Sequence, residues 1–176
     1  MKRLLRLLAL VVLTGAAWMA WQAFAPRPAP PPQSAAVDRI DRILIEKSAR
    51  RLTASRDGET VLEFSIALGF TPEGDKQQEG DGKTPEGVFR IDRRNPNSAY
   101  HLSLGIDYPQ SEDRARAQAA GVSPGGDIFI HGQPNAVGNL VTLPGDWTAG
   151  CIAVSNEQME TLWRLAGIGT EVEIRP

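Results

Sequence analysis

The chain has 176 residues, 41% of them hydrophobic, with 19 Lys or Arg against 21 Asp or Glu and a formal charge of −2. Residues 1–37 hold four of the cations (Lys2, Arg3, Arg6 and Arg27) and no acid, so residues 38–176 carry 15 basic against 21 acidic side chains. That balance argues against a nucleic-acid partner, and about 140 residues are enough for one domain to bury a core without staples.

Three cations open the chain, ahead of an apolar stretch from Leu7 to Ala25 whose clearly polar members are Thr14 and Gln22. About 19 such residues can span a bilayer, and the leading cations favour a cytoplasmic N-terminus, so residues 1–25 read as a signal anchor or signal peptide. The small-x-small site Ala23-Phe24-Ala25 is followed at once by Pro26, which impedes cleavage and favours an anchor in the inner membrane. Residues 26–37 form a proline-rich linker, an extended spacer of roughly 3 Å per residue. The domain beyond, residues 38–176, is expected in the periplasm or otherwise outside the cytoplasm; its oligomeric state stays open.

Within that domain, ILIEKSARRLTAS (residues 43–55) and TVLEFSIALG (60–69) predict two strands around a hairpin turn at Asp57-Gly58. In the second, Leu62, Phe64 and Ile66 alternate with Val61, Glu63 and Ser65, the period of a half-buried strand. The run TPEGDKQQEGDGKTPEG (71–87) is rich in glycine and proline and predicts a long loop of functional length. Strands are expected at VFRIDRR (88–94), AYHLSLGI (99–106) and GGDIFIHG (125–132), with a short helix from Ser111 to Ala120 stopped by Gly121. CIAV (151–154) reads as strand. Asn156 to Leu165 reads as a helix capped by Ser155 or Asn156 and closed near Gly167, and TEVEIRP (170–176) as the last strand. Mostly strands with two short helices predict a β-sandwich or partly closed barrel carrying helices at its edge.

Cys151 is the single cysteine of the chain. Outside the cytoplasm an odd cysteine is either paired between chains or kept as a free reactive thiol. His131 ends the apolar strand DIFI, 20 residues upstream, so a thiol and an imidazole at two strand mouths can meet as nucleophile and base. A thiol of pKa near 8.5 is only a few per cent ionised at neutral pH, and a neighbouring imidazole accepts its proton. Gly150 leaves room for a substrate carbonyl, and the backbone amides beside Cys151 can form an oxyanion hole of about 3 to 4 kcal/mol. The competing reading is a small buried cysteine and a hydrogen-bonded structural histidine.

His101 reads either as a groove residue beside Tyr100 or as a hydrogen-bonded strand histidine. Thr148 and Asn156 are candidates to orient the cysteine loop, Asn156 equally a helix cap; Trp147 and Trp163 read as packing. GDGKTPEG lacks the G-x-x-x-x-G-K-[ST] spacing of a phosphate loop, and one cysteine with two histidines makes no metal-ligand spacing. Neither a cofactor nor a metal is expected.

The motifs GDGKTPEGVFRI (80–91), IHG (130–132) and DWTAGCIAVSNEQM (146–159) together resemble the L,D-transpeptidase catalytic domain, the YkuD family, in a branch with TAGC in place of SHGC. The resemblance runs from about Arg39 to Arg175. It implies a mostly β catalytic domain in which Cys151 is the nucleophile and His131 the general acid and base. The implied substrate is a peptidoglycan stem peptide, attacked at the bond between the L-centre of its third residue and a terminal D-alanine. Beside that pair, Gly150, Thr148, Gly132, Tyr100 and His101 are the candidate supporting or substrate-binding residues. Ala149 stands where many members have histidine and Ala153 where many have arginine. Transfer to an amine, hydrolysis by the same pair, and a non-catalytic peptidoglycan-binding scaffold therefore stay open.

Overall fold

Alternating apolar residues lay down the first half of the sheet. In β1 (Ile40–Glu46) Ile43 and Ile45 are fully buried, and in β2 (Arg51–Arg56) Leu52 and Ala54 are. β2 turns through Asp57 and Gly58, both at positive φ, into β3 (Glu59–Ser65), as the Asp-Gly pair requires of a tight hairpin. The computed structural model describes residues 38–176, so the expected anchor and linker (1–25 and 26–37) lie outside the described residues. No helix among the described residues is long and apolar enough to cross a membrane.

One expectation is corrected here: residues 43–55 are not one strand but β1 and β2, broken by a turn at 47–50. Nothing in Lys47-Ser48-Ala49-Arg50 signals a turn by composition. It closes through the Arg50 N–H bond to the Lys47 carbonyl (3.1 Å), with Arg50 in the left-handed region at φ 48°. Lys47 itself is buried, and its Nζ donates to Gly74 O, Thr84 O and Glu86 Oε1, tying the long loop 71–86 to the sheet.

The remaining strands are β4 (Gly87–Ser98), β5 (His101–Ile106), β6 (Phe129–His131), β7 (Ile152–Ala153) and β8 (Ala166–Arg175), in the sheet order β3-β2-β1-β8-β4-β5-β6-β7. β4 outruns its expected length. Its first residues pair with β8 and its later ones with β5, so one strand carries the sheet around the bend. Helix α1 (Ser111–Ala120) ends at Gly121, φ 68°. Helix α2 (Asn156–Leu165) starts at a Ser155 cap, whose Oγ accepts from Gln158 N–H while Gln158 Oε1 accepts from Ser155 N–H. α2 ends at Leu165 as expected, but Ala166 and not Gly167 closes it, and β8 begins at Ala166, ahead of the expected Thr170. The register jump from Ile40↔Ala166 to Arg42↔Glu171 shows residues 167–170 to be a bulge, with Gly169 at φ 89°.

Past Ser65 the chain leaves edge strand β3 and reaches the opposite edge. Ala67 and Ala153 exchange both backbone hydrogen bonds (2.9 and 2.8 Å), Phe70 N–H donates to Thr148 O, and Thr148 N–H donates to Leu68 O. The sheet is thus a partly closed barrel, one of the two architectures expected. Closure brings the segment before β7 against the interior. The core inside it is aliphatic, with Ile91, Leu104, Ile106, Ile130, Ile152 and Ile174 fully buried and Met159 and Leu162 of α2 packed against them.

Candidate active site

β6 and β7 run parallel with Ile130 opposite Ile152 and His131 opposite Ala153. Cys151 directly precedes β7, so by the two-residue period of a strand it shares a face with Ala153, and Phe129 shares that face with His131. The thiol and the imidazole accordingly line one cavity of about 480 Å³, together with Tyr100, Ser103, Trp147 and Thr148 among others.

His131 is buried, and its Nδ1 donates to the carbonyl of Gly132 at 2.7 Å. A carbonyl can only accept, which fixes the proton on Nδ1 and leaves Nε2 with a lone pair. Burial holds the imidazole below its ordinary pKa, the Gly132 carbonyl opposing it in part. Tyr100 lies 4.6 Å and Trp147 5.7 Å from the ring, centroid to centroid. Trp147, expected only to pack, is thus part of the cavity wall.

Tyr100 sits at the tip of the β4–β5 turn, where Ser98 pairs with His101. Gly132 carries no side chain because none fits: its N–H bonds the carbonyls of Tyr100 and Leu102, and a Cβ there would meet Asn156 Oδ1. His101 is on the other side of that turn. Its Nε2 pairs with Glu160 Oε1 of α2 at 3.0 Å, and it does not line the cavity.

The cysteine turn is built by Thr148. Its Oγ1 donates to the Cys151 carbonyl at 2.7 Å and accepts from Gly150 N–H at 3.1 Å, folding Thr148-Ala149-Gly150-Cys151 into a tight loop. Gly150 lies at φ 134°, and a Cβ there would sit 2.7 Å from the Lys83 carbonyl, so only glycine fits. The thiol of Cys151 donates to the Asp127 carbonyl at 3.4 Å. Burial raises its pKa, a hydrogen bond from the Phe129 backbone lowers it, and the Asp127 charge raises it, with a net upward shift. The two shifts point the same way: each favours the neutral form of its group, with thiol and imidazole lining one cavity.

Asn156 does not reach the cysteine turn. Its Oδ1 accepts from Gln133 N–H and its Nδ2 donates to Asn139 Oδ1, while Gln133 Nε2 donates to Val154 O and its Oε1 accepts from Leu143 N–H. These two amides brace the loop between β6 and the cysteine. Asp146 completes the brace, accepting from Leu68 N–H and from Arg50 Nε and Nη2. The sequence also missed the wall formed by Asn95, Ser98, Asp127 and Phe129. The polar residues in a long strand carried no signal, and Asp127 holds a positive φ of 54° that composition does not announce.

Residues 40–174 match the family described as YkuD, the L,D-transpeptidase catalytic domain. A curated relative from Escherichia coli (strain K12), named "Putative L,D-transpeptidase YafK", is 28% identical over 110 residues, which are 61% of this chain and 36% of that protein. The crystal structure of the helical cell shape determining protein Pgp2 from Campylobacter jejuni is similar at 29% identity and a TM-score of 0.59, covering 78% of this chain and 48% of that one. An L,D-transpeptidase from Xylanimonas cellulosilytica shares the fold at 18% identity and a TM-score of 0.52, covering 89% of this chain and 68% of that one. The chain spans about half the length of Pgp2 and about a third of YafK.

Proposed function

The chain belongs to the L,D-transpeptidase catalytic domain family, and from that premise we propose that it is a cysteine acyltransferase acting on peptidoglycan stem peptides. Residues 1–25 would tether it to the inner membrane, residues 26–37 would space it off, and residues 38–176 would work in the periplasm. The observation that carries this reading is the shared cavity: the single thiol of the chain and a buried imidazole with its Nε2 lone pair free line the same 480 Å³ space.

In the proposed reaction His131 Nε2 takes the Cys151 proton as Sγ attacks the substrate carbonyl carbon. Because both shifts favour the neutral forms, proton transfer accompanies attack instead of preceding it. Gly150 N–H is engaged by Thr148, so the Cys151 N–H is the donor from this turn to the oxyanion. The tetrahedral intermediate collapses, the amine leaves with the proton from His131, and a thioester remains on Cys151. An incoming amine, or water, then attacks the thioester carbonyl carbon and gives its proton to His131; the C–S bond breaks, the acyl group leaves on the acceptor, and His131 returns the proton to Cys151 Sγ. Tyr100 and Trp147 flank the imidazole and limit water around it.

Purified muropeptides incubated with the protein and analysed by mass spectrometry test the proposal. A dimeric 3-3 cross-linked product marks transfer, and shortened stems mark hydrolysis by the same residues. Unchanged muropeptides with retained wall binding would turn the assignment to a scaffold. Cys151→Ala must abolish either product.

A further inference from the structure

Among the described residues, Asp127 is the one carboxylate lining the Cys151 cavity, and no Lys or Arg lines it; the other lining residues are Asn, Ser, Thr, Ala, aromatic, His131 and the thiol itself. Its placement is fixed by three features. The left-handed backbone at φ 54° turns its carbonyl inward to the Cys151 thiol while its side chain stays 89% exposed at the rim. Arg93 Nη2 donates to its Oδ1 at 3.0 Å. Arg93 is itself held, by Nη1 bonds to both oxygens of Asp92 and by lying over the Phe129 ring at 4.5 Å. Oδ2 of Asp127 carries no hydrogen bond from another described residue.

A carboxylate with one committed oxygen and one open oxygen, joined through its own backbone to the nucleophile, is a cation reader. We propose that Asp127 selects peptides that present a primary ammonium group at this cavity, with Arg93 fixing the carboxylate in place. The proposal rests on the proposed reading of this cavity as the site that takes peptidoglycan stem peptides. The ammonium has two possible sources: the side chain of the donor residue whose carbonyl is attacked, or the amine that resolves the thioester. At so exposed a site the preference should be up to roughly fivefold and should shrink with salt.

The donor arm measures, by calorimetry, binding to Cys151→Ser of two tetrapeptides that differ only in ending the third side chain in an ammonium or a methyl group. The acceptor arm measures the ratio of aminolysis to hydrolysis of the Cys151 thioester with a primary amine. The expected result is a preference for the ammonium peptide, or an aminolysis ratio, that falls at least twofold in Asp127→Asn and is partly retained in Asp127→Glu. The arm that responds names the source. A preference below twofold in the donor arm together with an unchanged ratio in the acceptor arm overturns the proposal. So does a preference that persists in Asp127→Asn while thermal denaturation shows the variant folded. Binding to Cys151→Ser needs no turnover, so a protein that binds selectively without reacting sinks the enzymatic reading and leaves this one standing.

Discussion

His131 donates its Nδ1 proton to the carbonyl of Gly132, the next residue in the chain, at 2.7 Å. A backbone carbonyl is always present and never titrates, so the tautomer is set by chain geometry and not by a neighbouring acid. The pH behaviour follows from the shifts on both partners. His131 sits below its ordinary value of 6.5 and Cys151 above its ordinary value of 9.0. Both shifts widen the interval in which the pair is neutral, so acylation should be flat across neutral pH, with the midpoint of its acid limb below 6.5 and that of its basic limb above 9.0. The profile of kcat/KM against pH checks this. Alkylation of the thiol by iodoacetamide, which needs no base, should keep rising through pH 9.0; a plateau at neutral pH would mean a preformed ion pair. His131→Gln should slow acylation by at least about a hundredfold, the range of a lost general base.

Thr148→Val keeps the shape of the side chain and removes Oγ1, which leaves the Gly150 N–H and Cys151 carbonyl without their partner. Stranding buried polar groups costs about 1 to 3 kcal/mol, so the melting midpoint should drop. The acylation rate should fall as well, since the turn that aims Cys151 loosens, and Thr148→Ser should restore both. A Val variant with native kcat would show that the turn is held by the sheet alone.

Gly150→Ala forces a Cβ to within 2.7 Å of the Lys83 carbonyl, at a backbone angle of 134° that L residues rarely adopt. Strain of that kind is worth about 1 to 3 kcal/mol before the clash is counted. The obstruction is backbone, so it cannot swing aside. Chemical denaturation should show the loss, and the thiol should become more accessible to alkylation as the 83 and 150 segments separate.

The parts of the molecule legible in the sequence are those whose signals are local. Asp57-Gly58 announces its hairpin because both turn positions need positive φ, and Gly121 stops α1 for the same reason. Ser155 with Gln158 marks the start of α2 through a reciprocal cap. The turn at Lys47–Arg50 was illegible because a non-glycine residue, Arg50, takes the left-handed angle, and a buried lysine occupies what reads as a solvent position. Cys151 and His131 were legible as rare residue types at strand mouths. Asp127, Asn95 and Trp147 were not, since only the curl of β4 and closure through Ala67–Ala153 bring them to one cavity. Those are long-range pairings, and no short window of sequence contains them.

Acid stability should depend on Asp81, in the loop that faces the cysteine turn. Partial burial raises its pKa, but hydrogen bonds from Lys76 Nζ and from the backbone N–H groups of Gln77, Lys83 and Gln78 outweigh that and hold it at about 2, against an ordinary 3.8. A carboxylate with a depressed folded pKa adds stability that is complete above 3.8 and disappears as pH falls toward 2, where the folded form takes up its proton too. Unfolding free energy measured by denaturant from pH 5 down to 2 should therefore decline. Asp81→Asn should be less stable at pH 5 and show a shallower decline below it. Parallel slopes for the two proteins would mean that another carboxylate sets the acid limit. Because Lys83 of this loop is the residue whose carbonyl abuts Gly150, loss of the Asp81 hydrogen bonds at low pH should also speed alkylation of Cys151 relative to a thiol standard at the same pH.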